Sequence, residues 1–252
     1  MTRRLAVLVV MAAFAALGVG AFRAVSSGGC GLPEDPACER VLFIGNSYTS
    51  VNDLPGTFAA LARSGGLHAD VGMIAPGGAF LADHARNPDV AAAIAGRGWT
   101  AVVLQEQSEL PAAQGALETR ILPAAQTLVS LSTADGARPF LLETWAHRDG
   151  WPDGHMNRAE MQAAIDATYG RLAGRLGATV VPAGEAWARA SREAPSIELW
   201  QADGSHPTPA GTYLAACVLY ASLTGRSPIG LSETGGIDTA TAATLQRIAV
   251  EP

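Results

Sequence analysis

The sequence predicts a three-layer α/β/α domain around a five-stranded parallel sheet. Short runs of continuous apolar residues alternate with longer segments of helical apolar periodicity. Strands that are buried on both faces are continuously apolar, whereas strands of half-exposed sheets alternate apolar and polar residues. Parallel strands also need crossover connections, and the helical segments between the runs provide them.

Each predicted element follows from this alternation. The strands are the apolar runs 41–44, 69–74, 101–104, 139–142 and 178–181. The helices are 54–63, 114–133, 156–176, 209–223 and a last one that starts after the candidate N-cap Asp238 and ends near Ala249. Active sites of open parallel sheets form at the carboxyl ends of the strands, so the polar residues that directly follow each run are the functional candidates.

Composition excludes one class of partner. The chain has 252 residues, which suits one domain and a leader, and a formal net charge of -6. An acidic chain without a basic stripe offers nothing to nucleic acid phosphates, so no nucleic acid partner is expected. With 16% charged and 48% hydrophobic residues, the composition is globular.

The first 24 residues predict a leader. Arg3 and Arg4 precede an apolar run at 5–22, and small residues occur near its end. This pattern is typical of a signal peptide, with Val19 to Ala21 as a small-x-small cleavage site. A run of 18 residues is also long enough to act as a membrane anchor. Both interpretations predict a secreted or anchored domain outside the cytoplasm, at 40–252.

The cysteines agree with that location. Cys30 and Cys38 flank a short loop in the predicted linker at 25–39, and in an oxidising compartment they are expected to form a disulfide. Cys217 lies within an apolar helical pattern, which predicts a buried thiol. None of the three is predicted to be catalytic.

A serine follows the first strand directly. In Gly45-Asn46-Ser47, the glycine permits a sharp turn that would present the Ser47 hydroxyl near the start of the next helix. A nucleophile is expected in such a place, with its own N–H available to a developing oxyanion. The alternative is that Ser47 is only a helix cap.

Asp203 and His206 are spaced as a base and its partner. An aspartate three residues before a histidine can reach the ring across a turn at Gly204 and hold it in the correct tautomer. The alternative is a surface turn that caps the next helix. A metal site is not expected, because these two residues are too few ligands even if Asp83 and His84 are added.

A third turn, Pro76-Gly77-Gly78, follows the second strand and would allow a backbone N–H to approach a substrate. Together, Phe43 to Ser47, Gly78 and Asp203 to His206 resemble the SGNH/GDSL hydrolases from about Arg40 to Gly225. The resemblance implies a flavodoxin-like sheet and ester hydrolysis without metal or cofactor. It further implies Ser47 as nucleophile, His206 as base, Asp203 as its orienting partner, and the N–H groups of Ser47 and Gly78 as oxyanion donors.

Two blocks depart from the family pattern. Gly-Asp-Ser is replaced by Gly-Asn-Ser, and the usual Gly-x-Asn-Asp block is replaced by Leu104 to Ser108. A glutamine carboxamide can make the donation that the family's asparagine makes. Gln105 is the first choice because it directly follows the strand, and Gln107 is the second.

Other polar and aromatic residues are given lesser roles. Trp145 and Trp200 are expected to border the cleft and contact substrate. The segment 147–149 is expected to be a loop, Glu106 to hydrogen-bond locally and Glu143 to be structural. The expected partner is a small-molecule or glycan acyl ester, with O-acetyl groups favoured by analogy. A catalytically silent glycan-binding envelope protein and an acyltransferase that uses the same serine are the alternatives.

Overall fold

The computed structural model describes residues 23–25, 30 and 38–250. The apolar run at 5–22, and with it all but the last two residues of the predicted leader, lies outside these residues. No helix in the described part of the chain is long and apolar enough to cross a membrane.

A six-stranded sheet forms the centre of the fold. Its strands are β1 (Arg23–Val25), β2 (Cys38–Ile44), β3 (His68–Ile74), β4 (Ala101–Leu104), β5 (Arg138–Leu142) and β6 (Thr179–Val181). Their order is β1-β3-β2-β4-β5-β6, with β1 antiparallel and the other pairs parallel. The five parallel strands therefore have the flavodoxin-like order, which confirms the predicted fold.

Helices cover both faces of this sheet. They are α1 (Ser47–Ser50), α2 (Leu54–Ser64), α3 (Leu81–Arg86), α4 (Pro88–Ala95), α5 (Leu122–Ala134), α6 (Arg158–Leu176), α7 (Ala183–Glu193), α8 (Pro209–Thr224) and α9 (Thr239–Ile248). Alternate residues of β2 point to opposite faces: Val41 and Phe43 pack with α2, α7, α8 and α9, whereas Leu42 and Ile44 pack with α3 to α6.

Local capping explains where the long helices begin. Asn157 and Glu160 form a capping box at the start of α6, and Thr208 accepts the Gly211 N–H before α8. Asp238 caps α9 as predicted, through the Thr241 N–H.

The structure corrects the predicted helix at 114–133. A π-helical turn at Leu117–Ile121 precedes α5, and Pro123 lies in the first turn of that helix. The short helices α1, α3 and α4 and the longer α7 were not predicted. Short helices depend on tertiary packing more than on propensity. Helix α7 was not recognised because Gly184, its second residue, has a low helix propensity. A Cβ at Gly184 would lie 2.2 Å from the Thr144 carbonyl oxygen, so packing requires the glycine.

Strand β1 crosses the predicted boundary between leader and linker. Its three residues pair with Val71 to Met73 on the outer edge of β3. Cys30 and Cys38 form a disulfide with a Cα–Cα distance of 5.6 Å, and Cys217 is a buried free thiol.

Candidate active site

Ser47 opens the one-turn helix α1 directly after β2. The turn between them requires glycine at position 45, because a Cβ there would lie 2.5 Å from the Thr49 hydroxyl oxygen. Asn46 caps the helix by accepting the Tyr48 N–H at 3.0 Å. The N-cap role that was an alternative for Ser47 thus belongs to its neighbour, and the Ser47 hydroxyl is left for another function.

The Ser47 hydroxyl contacts the His206 ring. Its Oγ lies 2.9 Å from His206 Nε2, and Nδ1 of the same ring lies 2.6 Å from Asp203 Oδ2. An ionised aspartate accepts Nδ1–H, which leaves Nε2 of the neutral ring as the acceptor for the serine proton. The three side chains that the sequence singled out are therefore hydrogen-bonded in series.

A tight turn holds Asp203 beside the ring. Its Oδ1 accepts the backbone N–H groups of Ser205 at 2.9 Å and of His206 at 3.0 Å, and Gly204 has a φ of +70°. The Ser205 N–H, followed by the ring and N–H of His206, lowers the pKa of Asp203 to about 2. The carboxylate is therefore ionised throughout the neutral range, although its side chain is 48% exposed.

Two backbone N–H groups are available near Ser47. Gly78 lies exposed in the turn after β3, and among the described residues neither its N–H nor that of Ser47 has a protein acceptor. Asn46 fixes this turn against α1, since its Nδ2 donates to the Ala79 carbonyl at 3.1 Å.

Gln105, the first choice for a side-chain oxyanion donor, occupies a different place. It is 1% exposed, its Oε1 accepts the Asn46 N–H at 2.9 Å and the Thr49 hydroxyl at 2.8 Å, and its Nε2 donates to the Glu106 carbonyl. These bonds make Gln105 a brace under the nucleophile turn, which corrects the expectation that it faces the cleft.

Gln107, the second choice, lies nearer the surface. It is partly exposed, and its Oε1 accepts the N–H groups of Glu109 and Leu110, both at 2.9 Å. Its Nε2 donates to the Ser108 hydroxyl at 3.3 Å, and that hydroxyl lies 3.3 Å from His147 Nε2.

No family model and no curated protein matches the chain by sequence. Among solved structures, it is similar to a protein from Slackia heliotrinireducens that is assigned as an SGNH hydrolase. The two share 32% sequence identity with a TM-score of 0.64, and the match covers 74% of this chain and 99% of the other. This chain belongs to the SGNH hydrolases.

Two further structures share the fold of this SGNH hydrolase at lower identity. A DUF4886 family protein from Bacteroides uniformis has 21% identity and a TM-score of 0.75, with 84% of this chain and 93% of the other covered. Axe2, an acetylxylan esterase from Geobacillus stearothermophilus, has 16% identity and a TM-score of 0.57, with coverages of 74% and 94%.

The two tryptophans predicted to bind substrate are buried, which corrects that expectation. Trp145 is 1% exposed and stacks between Tyr48, with ring centroids 4.7 Å apart, and Trp187, at 4.0 Å. Trp200 is 6% exposed and meets Trp187 edge-on at 5.1 Å. Trp145 Nε1 donates to the Ser205 carbonyl at 3.1 Å, so this aromatic stack supports the turn that carries Asp203 and His206.

His147, which the sequence placed only in a loop, lies beside the candidate site. Its Nε2 lies 3.3 Å from the Ser108 hydroxyl and 3.2 Å from the Ser205 hydroxyl, which in turn lies 2.6 Å from Tyr48 OH. Burial lowers the pKa of His147 and raises that of Tyr48 to about 12, so both groups are neutral at pH 7. The signal that could have identified His147 is its position in the loop after β5, because that loop lies at the same sheet edge as Ser47.

The residues considered for a metal are engaged elsewhere. His84 Nε2 lies 2.8 Å from the Gly45 carbonyl, and Asp83 bonds the Phe80 N–H and Arg86. Within the described part of the chain, no three His, Cys, Asp or Glu side chains are grouped to hold a metal ion.

Proposed function

We propose that this SGNH hydrolase is a serine esterase that works by two-step acyl transfer. The observation that carries the proposal is the hydrogen-bonded series Ser47, His206 and Asp203. His206 removes the hydroxyl proton as Ser47 Oγ attacks an ester carbonyl carbon, and the same proton then passes to the leaving alcohol. Water attacks the acyl-enzyme by the reverse route, releasing the acid and restoring the serine.

The proposed oxyanion hole consists of the Ser47 and Gly78 N–H groups and the Gln107 side chain. Both N–H groups lack a protein acceptor among the described residues, and the Gln107 carboxamide is oriented by bonds to its oxygen. Donors that are fixed in advance stabilise the developing negative charge without reorganising during the reaction.

The proposed substrate is an O-acetylated glycan or another small acyl ester. His206 and Asp203 are a third to a half exposed, which suits an ester displayed on a large molecule rather than one enclosed in a tunnel. The partly exposed Ser205 hydroxyl and His147 ring offer hydrogen bonds to sugar hydroxyls beside the triad. Axe2 acts on acetylxylan, a substrate of this chemical class.

The proposed location is outside the cytoplasm. The apolar run at 5–22 has the composition of a signal peptide or membrane anchor. Cys30 and Cys38 form a disulfide. Disulfides persist in oxidising compartments and are rare in cytosolic proteins.

The first test compares the wild type, Ser47→Ala and, as a control, Ser64→Ala in hydrolysis of p-nitrophenyl acetate. We expect kcat/KM of Ser47→Ala to fall by about 10³-fold or more, since the remaining groups cannot form an acyl-enzyme. Ser64, whose hydroxyl bonds Leu61 within α2, should tolerate the change.

A fluorophosphonate probe provides an independent reading of the same serine. The wild type should become labelled and Ser47→Ala should not. Background hydrolysis in every variant together with an unlabelled wild type would contradict the esterase and favour the silent binding protein. Faster turnover in the presence of a sugar acceptor would identify an acyltransferase.

A further inference from the structure

Glu106 is a buried carboxylate with two backbone donors on different loops. It directly follows Gln105 at the end of β4 and is 1% exposed. Its Oε1 accepts the Leu81 N–H at 3.1 Å and the Gln107 N–H at 2.7 Å. Its Oε2 is buried without a hydrogen-bond partner among the described residues. A charged side chain is costly to bury, so a specific task at this position is expected.

The two donors belong to the loops that carry the proposed oxyanion donors. Leu81 begins α3 three residues after Gly78, whereas Gln107 provides the side-chain amide. The Gly78 turn is held on its other side by the Asn46 bond to the Ala79 carbonyl. Without Glu106, none of the described contacts would join the Gln107 N–H to the start of α3.

We infer that Glu106 is a positioning residue for the oxyanion hole, which fixes the distance between the Gly78 turn and the Gln107 loop through a single oxygen atom. This inference rests on the proposed esterase function and assigns no contact between Glu106 and substrate. A displacement of about 1 Å in a donor weakens transition-state stabilisation strongly, because the donor must meet the oxyanion in a fixed geometry.

The ionisation of Glu106 should tune this positioning near neutral pH. Burial, assisted by the charge of Asp83 of α3, raises the pKa of Glu106 to about 7, although the two backbone donors and Arg120 of the π-helical turn oppose the rise. From α6, Tyr169 OH accepts the Glu106 N–H at 3.3 Å. The ionised carboxylate accepts both N–H bonds more strongly than the acid does, so the loops are held more firmly as pH rises through about 7.

The test measures kcat and KM for p-nitrophenyl acetate from pH 5 to 9 in the wild type, Glu106→Gln, Glu106→Leu and Glu118→Leu. Glu106→Leu removes the shared acceptor and should lower kcat by about 10- to 100-fold with KM changed by less than about twofold. Glu106→Gln keeps an acceptor oxygen and should retain kcat within about threefold of the wild type below pH 6, where the native acid is also neutral. Glu118 is exposed and serves as the control.

The pH dependence separates positioning from simple structural support. The ratio of wild-type kcat to Glu106→Gln kcat should rise as pH rises through about 7. The reason is that Glu106 ionises in the wild type, whereas the glutamine of the variant does not titrate. A ratio that stays constant with pH overturns the inference. This result can be obtained even if Glu106→Leu fails to fold, because the ratio uses only the wild type and Glu106→Gln. Glu106→Leu with unchanged kcat overturns it as well. In both cases Ser47-dependent hydrolysis by the wild type would leave the esterase standing, whereas a wild type without such hydrolysis overturns the esterase and this inference together.

Discussion

At the scale of single residues, the candidate site depends on a four-residue turn that carries both the proposed base and its carboxylate partner. Asp203 uses one oxygen to accept two backbone N–H groups and the other to accept the His206 ring. The turn therefore sets the ring orientation and keeps the carboxylate ionised. No separate strand is needed to deliver the third member of the triad.

Replacing Asp203 with asparagine tests this arrangement. Asn cannot stabilise the imidazolium that forms during attack, so kcat should fall by about 10³- to 10⁴-fold while KM changes little. Asp149→Asn is the matched control, because that carboxylate is 82% exposed and pairs only with Arg148 among the contacts described. Steady-state kinetics on p-nitrophenyl acetate at pH 7 would measure both. A loss of less than about tenfold in Asp203→Asn would contradict the assigned role.

At the scale of elements, the turn between β2 and α1 has to bring three segments together. Gln105 from the end of β4 braces Asn46, and His84 from α3 meets the Gly45 carbonyl at 2.8 Å. A side chain at position 45 would therefore have to displace the buried, hydrogen-bonded side chains of Gln105 and Thr49. A Cβ would lie 2.5 Å from both Gln105 Oε1 and the Thr49 hydroxyl.

Gly45→Ala should therefore displace the brace and the nucleophile together. Overpacking of this kind costs about 1–3 kcal/mol, which corresponds to a Tm decrease of roughly 2–10 °C for a domain of this size. We also expect kcat to fall by about tenfold, because Ser47 moves relative to His206. Calorimetry and ester hydrolysis measure the two effects.

Gly174→Ala in α6 is the matched control. A Cβ at this exposed helical position meets nothing within 4 Å, so alanine should stabilise the protein by about 0.5–1 kcal/mol through helix propensity. Equal Tm shifts for the two variants would refute the close-approach explanation for Gly45.

At the scale of the whole molecule, stability should depend on an acid buried beneath the sheet edge. Glu143 directly follows β5, is 2% exposed and accepts the Glu185 N–H at 3.1 Å. Burial, with the nearby charge of Asp166, raises the pKa of Glu143 from an ordinary 4.5 to about 8. The folded protein thus binds a proton that the unfolded chain releases. Between these two pH values the free energy of unfolding decreases as pH rises.

Glu143→Gln should remove this pH dependence. Because glutamine does not titrate, the Tm difference between variant and wild type should shift in favour of the variant by about 3 °C or more from pH 5 to pH 8. For Glu193→Gln, a change at an exposed side chain, Tm should vary with pH as it does in the wild type. Thermal unfolding followed by circular dichroism would decide, and parallel curves for Glu143→Gln would contradict a neutral Glu143.

Much of the fold followed from local patterns, and the errors have physical causes. The five parallel strands were recognisable because a strand buried on both faces is continuously apolar. Helices α3 and α4 were missed because six and eight residues give too short a periodic signal. Strand β1 has three residues and exists through its pairing with β3, which no local pattern encodes.

The sequence by itself determined the parallel sheet and singled out Ser47, Asp203 and His206 as candidates that the fold brings together, because these depend on short spacings and on strand ends. Tertiary structure alone decided which glutamine braces the turn after β2, where the tryptophans pack and that His147 lies beside the Ser205 hydroxyl. Gln105 and Gln107 are two residues apart and chemically identical. Their roles differ only because Asn46 and Thr49 approach the first from another strand end, and such contacts between distant segments have no local signature.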